Sequence, residues 1–359
     1  MKKTILFIKP ADSSFIKSDQ KILEKHFEVK PFLLKQTAGK GRYLISLLGL
    51  TLFLLRHGRA AHLFVCWFGD YHAAVMVALA RLFKQPSVII AGGQEAVCYR
   101  ELGKGVYLKK VRGWLVKYAL RNCTLIIPNH PSLIYHENYF YNPDNPHIDG
   151  IRHYAGEIKG KYEVIPNGID TSRIIRDQSV PKDPLLVATI GTMHKTADFY
   201  NKGFDLFIGA ARRCPDLRFT MIGLKKELAA WTEEKFNVSG ISNLRIIYSF
   251  CPVEVLNEIL NKATVYVQLS ITEGMPLSLG EAMLCECVPI GSAVNGIPDA
   301  IGNTGIIVHR RDPEEIESAI RKALLMTTGK EARDHTLRNF SLGIREKKLA
   351  EVLLKILKS

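Results

Sequence analysis

The stretch TEGMPLSLGEAM, residues 272–283, carries two carboxylates, Glu273 and Glu281, eight positions apart in a mostly apolar run. It follows ATVYVQLS, a β-branched run that reads as a strand ending near Ser270. Gly274 and Pro276 mark a turn into a helix, with Pro276 suited to the first helical turn. Backbone N–H groups from about Met275 to Ser278, Pro276 itself having none, then open the helix; these amides, with the helix dipole, suit a phosphate. Glu273 falls in the loop before that helix and Glu281 a turn or more inside it, so the two acids occupy different places. An ionised carboxylate among apolar neighbours is costly unless hydrogen-bonded. A sugar diol offers two donors, and Glu281 is suited to accept both, as acids do with ribose hydroxyls in dinucleotide sites.

Outward from this stretch, short apolar runs alternate with helical patterns. TILFIKP, FEVKPFLL, LFVCWFG, SVIIAGG, TLIIPN and YEVIPNG read as strands in the first half. LLVATIG, RFTMIG, LRIIYSF, ATVYVQL, CVPIGS and GIIVHR follow in the second, with helical segments such as KGFDLFIGAARRC and PVEVLNEILNKA between them. Near-continuous apolar strands alternating with helices imply parallel sheets covered on both faces, and right-handed crossovers then give doubly wound domains. The expected organisation is a first domain over 1–170, a polar linker over 171–184 and a second domain over 185–336. Residues 337–359 form an amphipathic helical segment, for which packing back on the first domain is one arrangement. Ligands would lie at the carboxyl ends of both sets of strands, in a cleft between the domains.

Composition sets further bounds. A length of 359 residues suits two domains, and 47% hydrophobic with 23% charged residues is ordinary for a globular chain. The seven cysteines are odd in number and scattered among apolar residues, which reads as reduced thiols in a cytoplasmic protein. Cys285 and Cys287 have no second pair or histidine to complete a metal site and read as core. The first apolar run, 4–8, is too short for a signal peptide. The longest, LISLLGLTLFLL at 44–55, is shorter than the roughly 20 residues needed to cross a bilayer. The charge is uneven: residues 1–130 hold 21 Lys/Arg against 7 Asp/Glu, and the remainder balances. A basic first domain suits an anionic membrane surface or an anionic ligand, with a solvated basic face as the alternative.

The Glu273-x7-Glu281 segment, the AM that follows, the strand CVPIGS and the turn NGIPDAI together resemble the signature of retaining nucleotide-sugar glycosyltransferases of family 4, which have the GT-B fold. VATIGTMHKTADFYNKGFDLFIGAA resembles the strand, loop and Lys-Gly element that begins that family's donor domain, and YEVIPNGID the segment that ends its acceptor domain. The similarity runs in order from about Leu63 to Val308. It implies an α/β GT-B fold of two Rossmann-like doubly wound domains facing across a cleft. It also implies that Glu281 holds the ribose hydroxyls, that Glu273 contacts the donor sugar, and that Gly274, Met275, Pro276, Leu277 and Ser278 hold the diphosphate or sugar. Lys202 would neutralise the diphosphate, with Gly191 and Thr192 beside it. Phe250 and Pro252 would wall the nucleobase, core or turn roles being the alternative.

The sequence also departs from the family's pattern. Thr192 and Met193 stand where members often have an arginine, leaving His194 or Lys195 as substitutes. The first loop, KPADSSFIKSDQ, lacks glycine. After the fourth strand comes IIAGGQEAVCYR, with no histidine beside Glu95, so Gly93 and Glu95 are assigned to acceptor contact. The resemblance implies sugar transfer from a nucleotide donor to a hydroxyl of a saccharide or lipid-linked acceptor, with retention of configuration, in bacterial surface polysaccharide or glycolipid synthesis. The departing diphosphate would take the acceptor proton, without a metal or other cofactor. A cytoplasmic location is expected, peripheral on the inner face of the plasma membrane through the segment around 44–55, for which a core helix is the alternative. A sugar phosphorylase or epimerase on the same fold is one rival. A basic nucleic-acid binder is the other, and it lacks a recognisable nucleic-acid module.

Overall fold

The computed structural model describes residues 2–35, 40–158, 161–193, 195–248 and 251–358, save the side chain of Lys40. The chain divides into two compact units. The first comprises Met1–His136, Ile148–Gly168 and Leu342–Ser359, the second Glu137–His147 and Ile169–Ser341.

In the first unit the elements run β1 (Thr4–Lys9), α1 (Ser14–His26), β2 (Glu28–Leu33), α2 (Lys40–His57), β3 (Leu63–Trp67), α3 (Tyr71–Leu82), β4 (Ser87–Ala91), α4 (Lys110–Asn122) and β5 (Leu125–Pro128). Among the described residues these strands form a parallel sheet in the order β2-β1-β3-β4-β5. Each residue of β3 and β4 is buried, as continuous apolar runs require when helices cover both faces. The expected strand YEVIPNG is not a full strand. It runs beside β5 with Glu163 N–H donating to Ile126 (3.0 Å) and Ile165 N–H to Pro128 (3.0 Å), and Pro166, which lacks an N–H, stops the ladder. A short ribbon, β6 (His136–Asn138) and β7 (His147–Asp149), precedes α5 (Ile151–Ala155).

In the second unit β8 (Asp183–Ile190), α6 (Thr196–Asn201), α7 (Phe204–Arg213), β9 (Arg218–Leu224), α8 (Ala229–Phe236), β10 (Leu244–Tyr248), α9 (Val253–Lys262) and β11 (Ala263–Gln268) come first. Then follow α10 (Leu277–Leu284), β12 (Val288–Ser292), α11 (Ile297–Ile301), β13 (Ile306–Val308), α12 (Pro313–Leu324) and α13 (Gly329–Phe340). Their sheet is parallel in the order β10-β9-β8-β11-β12-β13. This is the Rossmann order, and the order of the first unit is the flavodoxin-like one. The core between sheet and helices includes Phe199, Phe204, Phe207, Tyr266 and Met283, all essentially inaccessible.

Two expected boundaries are corrected. Residues 171–184 are no separate linker but belong to the second unit. There Arg176 pairs with Glu286 at 3.0 Å and donates to Asn261 Oδ1 at 3.1 Å, bonds that fasten the segment to the unit's body. The C-terminal segment joins the first unit from Leu342 rather than 337, since α13 continues to Phe340 in the second. Its helix α14 (Leu342–Ile356) is fixed to α1 by a buried ion pair. Arg345 Nε and Nη2 each lie 2.6 Å from the Asp19 carboxylate, and Arg345 Nη1 donates to the carbonyls of Ile165 and Pro166. Trp67 Nε1 donates to the same carboxylate at 2.9 Å, so both charges are fully hydrogen-bonded.

Candidate active site

In a doubly wound sheet, ligands bind at the carboxyl ends of strands where the strand order reverses. In the second unit that point lies between β8 and β11, and the residues singled out from the sequence gather there. After β8 come buried Gly191 and exposed Thr192. After β11 come Glu273 and buried Gly274. Lys202 caps the C-terminus of α6, and its ammonium forms an ion pair with Glu273. Gly191 makes room for it: a Cβ there would sit 3.3 Å from the Lys202 Cγ. Gly203 fixes the backbone that aims Lys202. Its φ is +72°, and a Cβ would come within 2.2 Å of the Leu269 carbonyl oxygen, so only glycine passes so close to the end of β11.

The loop carrying Glu273 is held from the NGIPDAI turn. Asn295 Oδ1 accepts from the Glu273 N–H at 3.0 Å, and the Gly296 N–H donates to the Gly274 carbonyl at 3.0 Å. Asn295 takes a left-handed φ of +48°, a conformation asparagine tolerates better than most. The helix starts one residue later than the sequence suggests. Pro276 is the extended N-cap, Leu277 the first residue of α10, and Met275 a buried residue before it. By helix geometry the amides of the first turn have no partner within α10. Beneath them Ser278 Oγ donates to Gln268 Oε1 (3.2 Å), which also accepts from the Tyr266 hydroxyl (3.0 Å). Burial raises the Tyr266 hydroxyl well above its ordinary pKa, so it stays a neutral donor.

Glu281 is not left without a partner in the apolar helix. Arg173 lies 3.3 Å from its Oε1. Burial pushes the Glu281 carboxyl upward, Arg173 opposes this, and nearby Asp170 adds to it. Arg173 comes from the segment read as linker, and its role is invisible from spacing because it lies 108 positions before its partner. Met193, where an arginine is common in the resembled family, is fully buried and packs in the core; Lys195 N–H donates to Asp198 Oδ2 at the start of α6. His194 and Phe250 lie outside the described residues, and Pro252 is the exposed N-cap of α9.

The first unit has a cavity of about 180 Å³ at its own reversal point between β1 and β3. Pro10 and Ala11 line it after β1, and Phe68, Gly69 and Asp70 after β3. Asp70 caps α3 and accepts two bonds from Arg112, at 2.8 and 2.6 Å. His72, also lining the cavity, is wholly buried. Burial lowers its pKa, so it is neutral. Its Nε2 meets the Trp67 carbonyl at 2.8 Å, which makes Nε2 the protonated nitrogen and Nδ1 a buried acceptor without a partner among the described residues. The loop after β4 brings Gly93, in a left-handed φ of +130°, and Glu95. Glu95 is fully buried: Gly92 N–H donates to its Oε1 at 2.8 Å, and Oε2 has no partner among the described residues. Burial raises its carboxyl to about 7. The sequence singled out Glu95 and Gly93, read His72 as a packing or surface histidine, and did not point to Asp70 or Arg112.

No group of three or more His, Cys, Asp or Glu suited to a metal occurs among the described residues, and Cys285 and Cys287 are buried free thiols.

The model of the family described as Glycosyl transferases group 1 matches residues 184–325. An alpha-maltose-1-phosphate synthase of Mycolicibacterium smegmatis is 26% identical over 49% of this chain, and the match spans 50% of that relative. A sucrose-phosphate synthase of Thermosynechococcus elongatus shares the fold over 99% of both chains, with a TM-score of 0.75 and 14% identity. The Anabaena protein HepE, solved with UDP and glucose, aligns over 98% of this chain and all of its own, with a TM-score of 0.71 and 12% identity. Residues 184–325 thus match the family described as Glycosyl transferases group 1, and the chain has the GT-B fold.

Proposed function

We propose that this protein transfers a sugar from a nucleotide-sugar donor to a hydroxyl of a saccharide or lipid-linked acceptor, with retention of anomeric configuration. The observation that carries the reading is the Lys202–Glu273 ion pair at the reversal point of the second sheet, with Glu281 eight residues onward. A cation beside a helix N-terminus suits a diphosphate that gains charge as it leaves. Glu273, at the far side of that cation, takes the donor sugar. Glu281, paired with Arg173, takes the ribose diol. Retention follows if the departing diphosphate accepts the acceptor proton on the face it leaves, which makes the protein's work positioning and charge stabilisation. Lys202 supplies the charge a metal would otherwise supply, so the reaction runs without one.

The acceptor end of the reading is the cavity of the first unit. His72 lines it and Glu95 follows its lining residue Gln94; each carries a buried polar atom suited to a hydroxyl, and a Cβ on Gly93 would meet open space. The cellular setting that fits is bacterial surface polysaccharide or glycolipid synthesis by a cytoplasmic enzyme seated on the inner face of the plasma membrane.

Thermal shift with UDP-, GDP- and ADP-sugars on wild type and Glu281→Ala tests the donor assignment, followed by product analysis with EDTA present. One nucleotide class should stabilise the wild type and much less the variant, and EDTA should leave turnover unchanged. Equal stabilisation of both proteins would refute the ribose assignment.

A further inference from the structure

Helix α2 turns an apolar stripe outward. Leu44, Ile45, Leu48, Leu52 and Leu55 are between 47% and 68% exposed, whereas Leu50 and Leu54 on its other side are fully buried. The spacing is that of one face of a helix 18 residues long. Contiguous exposed apolar surface of this kind marks a contact site rather than a solvated face. The surrounding charge is of one sign. Between Glu28 and Asp70 the chain has no acidic residue and six Lys or Arg, of which Arg42 and Arg56 lie on α2 itself and are exposed. The neighbouring helices continue the pattern. The crossovers from β2 to β3, β3 to β4 and β4 to β5 advance in one direction across a parallel sheet, so right-handed connection puts α2, α3 and α4 on the same side. On that side α4 exposes Trp114 and Val111 beside Lys109 and Lys110, and α3 ends in exposed Leu82. An exposed tryptophan among basic residues suits the headgroup level of a bilayer.

We propose that this side of the first unit, α2 foremost, is a docking surface for an anionic lipid bilayer, with α2 lying in the headgroup plane and its leucines inserted. No helix among the described residues is long and apolar enough to cross a membrane, so α2 lies on it. A second copy of the chain is a poorer occupant, because it would bring two surfaces of like positive charge together. The inference is independent of the donor chemistry, since none of these residues belongs to the second unit.

Flotation of the full chain with phosphatidylcholine vesicles, with and without phosphatidylglycerol, tests it. The wild type should float with the anionic vesicles, less so as salt rises. Leu48→Glu with Leu52→Glu should reduce that binding at least about tenfold, and Arg42→Glu with Arg56→Glu should remove its dependence on phosphatidylglycerol. Both variants should keep the wild-type Tm and thermal shift with the nucleotide sugar. Wild type that stays unbound from anionic vesicles at low salt overturns the proposal. So does a leucine-dependent dimer, seen by sedimentation, that ignores vesicles.

Discussion

Glu95 sits where a carboxylate is least comfortable, enclosed and, among the described residues, bonded at one oxygen only. Its carboxyl titrates at about 7 in the folded protein against an ordinary 4.5. Between those values the unfolded chain binds fewer protons than the folded one, so stability falls as pH rises from about 4.5 to about 7 and is level above. A shift of this size corresponds to about 3 kcal/mol in all. Glu95→Gln keeps an acceptor for the Gly92 amide and removes the charge. We expect the variant to match wild type near pH 4 and to be more stable at pH 8, by an amount approaching that value. Chemical denaturation across pH measures it, and parallel pH profiles for the two proteins would show that Glu95 is not held neutral. His72 belongs to the same setting: burial keeps it uncharged, and its tautomer is set by the Trp67 carbonyl.

At the scale of elements, each functional side chain depends on a backbone detail beside it. Gly203, between α6 and α7, has a positive φ and no room for a Cβ against Leu269. Gly203→Val is expected to destabilise the second unit by about 2–4 kcal/mol and to shift Lys202 off Glu273, weakening donor binding as well. A variant with unchanged Tm and unchanged donor affinity would contradict this. Helix α14 depends on Arg345 in the same way. Removing its partner charge leaves the other buried, so Asp19→Ala should cost about 3–5 kcal/mol, read as a fall in denaturation midpoint. These contacts explain what the sequence concealed. Strands such as SVIIA and the helix after Pro276 announce themselves by local periodicity and turn residues. Arg173 with Glu281, Arg345 with Asp19, and Asn295 with the Glu273 amide join positions far apart in the chain, and no local pattern encodes them. YEVIPNG misled because its first residues are extended and partly apolar, yet Pro166 within it cannot continue a ladder.

For the whole molecule, the division of charge noted in the sequence coincides with structure. The excess of Lys and Arg falls in the first 130 residues, all within the first unit, while Glu273 and Glu281 lie in the second. The alternation of strands and helices was legible end to end, because parallel sheets buried on both faces need uninterrupted apolar runs. The boundaries were not: the chain leaves the first unit at His136, returns at Ile148 and again at Leu342, and such returns rest on long-range packing. The central claim is that one turn and one helix divide a nucleotide sugar among Lys202, Glu273 and Glu281. Calorimetric titration of the wild type and three single variants, with the nucleoside diphosphate alone and with the intact nucleotide sugar, tests it most directly. Lys202→Ala and Glu281→Ala should each weaken the nucleoside diphosphate about ten- to a hundredfold, as loss of a charge-assisted hydrogen bond predicts. Glu273→Gln should leave the diphosphate's affinity near that of wild type and weaken only the sugar-bearing donor. Equal losses for both ligands in all three variants would contradict the division.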